Sequence, residues 1–222
     1  MEYRSVFLKR LPILFLLFSV LGHTQNGEAF AGEVVAIQKK YDSIWDAERP
    51  TIVFTGSSSI RMWYDLDLRF PDQQVLNTGF GGSQFSDLQR YLDELVLDYR
   101  PVKVFIYEGD NDISARKRQR EIIETAENVI ERLRDAKEDI QIVLISPKPS
   151  ISRWNLGGKY KRLNRKLSRL AGKYQGVEFV DIWNPMLNGR KLNQELFLED
   201  GLHLNAKGYD IWYDQLKNHV EP

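Results

Sequence analysis

The strongest constraint in this chain is an alternation. Short runs of strand character, closed by glycine or proline, are separated by longer segments with apolar residues at helical spacing. Residues 51–55, 74–76, 102–107, 140–145 and 177–182 are the strand-like runs. The first stops at Gly56, the second leads into the glycine-rich stretch 79–82, and the fourth meets Pro147 and Pro149. Residues 33–45, 85–99, 119–137, 159–173 and 206–218 read as helices. In the second, Leu88, Tyr91, Leu92, Leu95 and Val96 fall on one face. The helix over 159–173 carries a basic face, read as solvated. Strands alternating with helices pair in parallel through right-handed crossovers. The pattern therefore predicts an α/β fold: a three-layer α/β/α sandwich on a parallel five-stranded sheet, in one domain over residues 32–222.

The N-terminus stands outside this pattern. Arg4, Lys9 and Arg10 precede an apolar run over 11–21, and small and polar residues occupy 22–27. This is the order of a secretory signal peptide, over residues 1–24, with a second cleavage position after Ala31. The apolar run is shorter than the roughly 20 residues a membrane-spanning helix needs. The expectation is an exported chain, periplasmic or secreted, with no stable membrane insertion of the mature part. The alternative is a chain tethered by an uncleaved N-terminal segment. Lys plus Arg and Asp plus Glu both number 31, so the net charge is zero and neither nucleic acid nor an anionic membrane is the expected partner. With no cysteine present, disulfides and thiolate chemistry are excluded.

Open α/β sheets bind ligands beyond the carboxyl ends of their strands, so the residues just past each strand bear most directly on function. Gly56-Ser57-Ser58-Ser59 comes after the first, Asn77-Thr78-Gly79-Phe80-Gly81-Gly82 after the second, and Glu108-Gly109-Asp110-Asn111-Asp112 after the third. Asp200-Gly201-Leu202-His203 comes after the fifth, beyond a connecting segment. A serine hydroxyl is a poor nucleophile until a neighbouring base accepts its proton, and histidine is suited to that task near neutral pH. Of the three histidines, His23 lies in the leader and His219 in the polar C-terminal tail, which leaves His203. Asp200 can fold back within one turn to orient it. The backbone N–H groups of Ser58 and Gly82, with the Asn111 amide, supply the donors an oxyanion requires. Trp63, Phe80, Arg153 and Trp154 are candidate substrate contacts. Asp110 and Asp112 read as capping or structural carboxylates, so neither a metal nor an organic cofactor is expected.

Together these blocks resemble the SGNH, or GDSL-type, hydrolases, a family of serine esterases, lipases and acylhydrolases. The resemblance runs from about Val53 to Tyr209 with the blocks in family order. It implies a flavodoxin-like SGNH fold, Ser58 as nucleophile, Asp200 and His203 as its partners, and Ser58, Gly82 and Asn111 as the oxyanion hole. Ser57 and Ser59 stand where the family usually carries Asp and Leu, which leaves the shaping of that turn open. The ordinary α/β-hydrolase elbow is excluded because residue 60 is Ile rather than the second glycine. The expected activity is hydrolysis of a small or polar carboxylic ester through an acyl-enzyme. By family precedent an O-acetylated carbohydrate is the first substrate and a lysophospholipid the second. Two rivals belong to other classes. One is a non-catalytic carbohydrate-binding domain, against which the intact blocks speak. The other is a phosphate or nucleotide binder, for which no P-loop lysine or dinucleotide fingerprint is present.

Overall fold

Successive residues of a strand point to opposite faces of its sheet, so a strand buried on both sides needs a layer of helices above and below. The computed structural model, which describes residues 29–220, shows this arrangement. Five parallel strands, β1 (Thr51–Gly56), β2 (Gln74–Asn77), β3 (Lys103–Tyr107), β4 (Gln141–Ile145) and β5 (Val177–Val180), lie in the order β2-β1-β3-β4-β5. The order reverses beside β1, whose first crossover runs outward to β2 before the chain returns to β3 on the other side. The expected three-layer sandwich is therefore the fold.

Val53, Val104, Ile106, Ile142 and Leu144 face one layer. That layer holds α1 (Ala31–Tyr41), α3 (Phe85–Arg90), α4 (Leu92–Leu95), α6 (Gln119–Ala136) and α7 (Gly157–Ala171). Ile52, Phe54, Phe105, Tyr107, Val143 and Ile145 face the other, where α8 (Ala206–Leu216) packs with Trp63 and Leu66. Two further helices are short and sit at strand ends: α2 (Ser58–Arg61) after β1 and α5 (Asp110–Ser114) after β3. A small hairpin, β6 (Leu187–Asn188) with β7 (Lys191–Leu192), adds to the elements the sequence pattern predicts. Among the described residues no helix is long and apolar enough to cross a membrane. The leader expected over residues 1–24 lies outside the described residues.

The first helix runs over Ala31–Tyr41 rather than to residue 45, and two other expected elements differ for a visible physical reason. The helix over 85–99 breaks into α3, α4 and a 3-10 turn at Leu97–Tyr99. The Arg132 guanidinium of α6 donates to the Gln89 carbonyl at 2.8 Å and pairs with Asp93 at 2.7 Å, taking over backbone bonding where the first piece ends. Leu88, Leu92, Leu95 and Val96, on either side of the break, are all fully buried. The last strand stops at Val180 rather than residue 182, because the Ile182 N–H leaves the sheet to donate to Ser146 Oγ at 3.0 Å.

The β1–β3 register brings Gly56 opposite Tyr107. Gly56 has φ +123°, and a Cβ there would stand 2.1 Å from the Tyr107 carbonyl oxygen. Only glycine fits both demands. Gly56→Ala is expected to cost about 3 kcal/mol or more, from backbone strain and steric overlap together. Urea unfolding of the two proteins checks this; a loss below about 1 kcal/mol would show that the strand ends can separate freely.

Candidate active site

Gly56 turns the chain out of the sheet, and Ser57, in extended conformation, becomes the N-cap of α2. Ser58 is thereby the first helical residue at the sheet's carboxyl edge, half-buried, between Ser57 and Ser59, which are both buried. Its Oγ lies 3.0 Å from Nε2 of His203, across 145 positions of sequence. Nδ1 of the same ring lies 2.5 Å from Asp200 Oδ2. The other Asp200 oxygen accepts the backbone N–H groups of Leu202 and His203 at 2.8 and 2.9 Å. Burial works to raise the Asp200 pKa, but the His203 ring and these two N–H groups outweigh it and bring it to about 2. A carboxylate held ionised can only accept, so Nδ1 carries a proton toward it, and in the neutral ring Nε2 is then the acceptor facing Ser58.

The loop holding Asp200 and His203 is closed at its neck. Phe197 bridges to Leu204, the Leu198 N–H donates to the His203 carbonyl at 2.8 Å, and Gly201 adopts φ +62°. The segment after β4 seats it from outside. Ser152 N–H donates to the Gly201 carbonyl at 3.1 Å, and Lys148 Nζ donates to the Leu202 carbonyl at 2.7 Å.

The three expected oxyanion donors lie in different states. Gly82, with φ +82°, has an N–H with no acceptor among the described residues. The Ser58 N–H and the Asn111 Nδ2 instead converge on one oxygen, Ser57 Oγ, at 2.7 and 2.9 Å. Asn111 Nδ2 also donates to the Ser83 carbonyl at 2.9 Å. Ser57, where the resemblance left the role open, is thus the acceptor that gathers two donors.

Of the candidate substrate contacts, Trp154 remains exposed, its ring stacked on Trp183 at 6.1 Å and 13°. Trp63 and Phe80 are corrected. Trp63 is 1 % exposed, stacked on Tyr209 and edge-on to Trp212, and Phe80 is fully buried against Phe30 and Tyr91. Neither leaves surface for a substrate. The fourth candidate, Arg153, is part-buried, and its guanidinium reaches Asp110 and Asn111.

The sequence reads Asp110 as a capping or structural carboxylate; its buried partners are what sequence reasoning missed. Buried within α5, it accepts from Tyr107, Tyr160 and Arg153 and pairs with Lys148. Burial raises its pKa, but the charges of Lys148 and Arg153 more than reverse that and hold it below the usual range. A lysine flanked by Pro147 and Pro149 after an apolar strand was the available signal, since a buried lysine demands a partner. Glu108 is a second buried acid: Ser83 Oγ donates to its Oε1 at 2.5 Å, while Oε2 has no partner among the described residues. Burial first, and then the nearby Asp112, push its pKa well above the usual carboxylate range. Among the described residues no group of three or more His, Asp or Glu is arranged to hold a metal ion.

The same fold recurs in known proteins. The profile of the GDSL-like lipase/acylhydrolase family matches residues 42–211. The chain belongs to that family. Members of this GDSL-like family are serine ester hydrolases, and the chain is one of them. A protein of Streptococcus pneumonia whose name refers to platelet activating factor is 25 % identical, with 88 % of this chain and 96 % of that one covered and a TM-score of 0.76. A GDSL-like lipase from Bacteroides thetaiotaomicron is 22 % identical over 88 % and 97 %, TM-score 0.66. An acetylxylan esterase from Geobacillus stearothermophilus is 16 % identical over 78 % and 94 %, TM-score 0.65. The last two share the fold. No curated protein matches the chain in sequence.

The pKa of Glu108 makes a test of the GDSL-like site's foundations. A carboxyl whose folded pKa is raised stabilises the fold below its unfolded pKa and loses that contribution as pH climbs toward the folded value. Glu108→Gln removes the titration while keeping an acceptor for Ser83. The variant is expected to gain stability over the wild type progressively from about pH 5 to pH 8 in urea titrations. A constant difference across that range would mean Glu108 is not held neutral.

Proposed function

We propose that Ser58 is the nucleophile of this esterase, with His203 as general base and Asp200 orienting it, and that the substrate is a short acyl ester of a polar alcohol, first an O-acetylated carbohydrate. The observation that carries the reading is the chain of contacts from Ser58 Oγ through His203 to Asp200, at 3.0 and 2.5 Å. In this reading His203 Nε2 takes the hydroxyl proton as Oγ bonds to the ester carbonyl carbon. The imidazolium that forms is stabilised by ionised Asp200. Negative charge develops on the carbonyl oxygen, toward which the Gly82 N–H is free to point. The Ser58 N–H and Asn111 Nδ2 turn to it from Ser57 Oγ. His203 then protonates the leaving alcohol, and a water, deprotonated by the same nitrogen, releases the acid and restores Ser58.

The alcohol side of the substrate is proposed to occupy a cavity of about 420 Å³ lined by Ile151, Trp154, Arg190, Lys191, Leu192 and Gln194. It adjoins the His203 loop, because Ile151 packs against Gly201. An exposed indole face beside convergent polar groups is the lining that orients a small ligand with both apolar and hydroxyl surface. The names of the acetylxylan esterases sharing the fold agree with an acetyl ester. The charged-then-apolar N-terminus supports action after export.

A panel of acyl chain lengths and alcohols, assayed with wild type and Ser58→Ala, tests the reading. Turnover is expected to be highest on acetyl esters and to fall below about 10⁻³ of wild type in Ser58→Ala, with loss of labelling by a fluorophosphonate probe. Preference for long acyl chains would overturn the substrate class in favour of a lysophospholipid, and a fully active Ser58→Ala would overturn the nucleophile. Trp154→Ala is expected to raise KM for O-acetylated oligosaccharides about fivefold while kcat/KM on p-nitrophenyl acetate stays within about twofold. Equal effects on both substrates would place Trp154 outside the alcohol subsite.

A further inference from the structure

A side-chain amide is nearly symmetric in shape, and which end faces a reaction decides its sign. Turned one way, Asn111 offers N–H donors to a developing oxyanion. Turned by half a rotation, it offers a carbonyl oxygen that repels it. Ser57 Oγ does not by itself choose between these, because a hydroxyl both donates and accepts. The Ser83 carbonyl favours the donor end, at 2.9 Å. The remaining partner sits on the far side. Both Nη1 and Nη2 of Arg153 lie 3.1 Å from Asn111 Oδ1. A guanidinium has five donors and no acceptor, so the amide atom facing it must be oxygen.

We infer that Arg153 is a positioning residue for ester hydrolysis: it pins the oxygen of the Asn111 amide and so commits Nδ2 to the oxyanion. The inference rests on the donor role proposed above for Asn111. Arg153 is held for this task. Its Nη1 also donates to Asp110 Oδ1 at 2.5 Å, and the same carboxylate oxygen accepts from Tyr160 at 2.6 Å. Asp110 is itself fixed on its other oxygen by the Tyr107 hydroxyl at 2.9 Å and by Lys148 at 3.5 Å. The Arg153 side chain is 18 % exposed and the Asp110 side chain 5 %, so the pair is shielded from the solvent that weakens a surface contact. Asp110 and Asn111 are adjacent in α5, and one planar fork therefore spans neighbouring side chains and fixes the angle between them. Arg153 comes from the loop after β4, the same loop that seats the His203 loop through Ser152 and Lys148.

The test is a double-mutant cycle on a soluble acetyl ester with Arg153→Gln, Asn111→Ala and both together. Losing an oxyanion donor lowers kcat by about 10²–10³, so Asn111→Ala sets the ceiling. Arg153→Gln is expected to lower kcat at least about tenfold with KM within about twofold, and to add less than about twofold when Asn111 is already alanine. Arg153→Lys, which keeps the charge beside Asp110 and one donor for Oδ1, should recover part of kcat. Circular dichroism melting of all variants shows that each is folded at the assay temperature, and Arg153→Lys carries the test if Arg153→Gln is not. A raised KM with kcat unchanged would make Arg153 a substrate contact and overturn the inference. So would an undiminished effect of Arg153→Gln in the Asn111→Ala background. If Asn111→Ala alone loses nothing, the donor role fails separately, and a remaining loss in Arg153→Gln then shows that the arginine acts elsewhere.

Discussion

Everything at the reactive edge hangs on how β1 and β3 end together. Their parallel register runs to Gly56 and Tyr107, where the backbones come so close that no side chain fits between them. The Ser57 N–H then closes onto the Tyr107 carbonyl at 3.1 Å, extending the ladder one step past the strand. That step fixes where Ser57 and Ser58 emerge relative to Asp110 and Asn111, a few residues beyond Tyr107. Sheet pairing thus brings Asn111 and Ser57 within reach, and the hydrogen bond from Asn111 Nδ2 to Ser57 Oγ at 2.9 Å joins the two loops. A parallel sheet supplies such alignment readily, because its strands all deliver their carboxyl ends to one rim.

The rim is rich in buried charge, and its stability depends on where each charge finds compensation. Asp110 stays ionised because two cations and two hydroxyls surround it, whereas Glu108, with one hydroxyl and an acidic neighbour, is pushed toward the neutral form. Burying an ion without partners costs several kcal/mol, and the pairing repays this only when the geometry is good. Asp110 has that geometry, and removing it would leave Lys148 and Arg153 without the carboxylate they share. Lys148, entirely enclosed, illustrates the dependence: its burial lowers its pKa, while Asp110 and the Leu202 carbonyl keep it bound.

The parts of this structure legible in the sequence are those set by local pattern. Strand runs ending at Gly56, Gly79 and Pro147 marked the sheet's carboxyl edge, and the scarcity of histidines singled out His203 before any contact was visible. Asp200 was legible because its pairing is local. What escaped was decided by direction and by distance. Trp63 and Phe80 sit within a few residues of the motif blocks, but proximity along the chain says nothing about which way a ring points, and both point inward. Arg153 meets its partners across more than forty residues, a pairing that no spacing rule encodes. The interruption after Arg90 was invisible for a similar reason: the 3.6-residue pattern continues through it, and the arginine that takes over the freed carbonyl comes from another helix.

The three-residue spacing of Asp200 and His203 has a consequence for how the site can be out of order. Acid and imidazole are tied to each other by bonds that begin and end inside one small loop, and the Leu202 and His203 N–H groups hold the Asp200 carboxylate in place beneath the ring. The misalignment left to the assembly is the seating of this finished unit against the end of β1. The segment beyond β4 serves as the shim that sets that gap, which makes the residues between Lys148 and Ser152 a gauge for the reach from hydroxyl to ring.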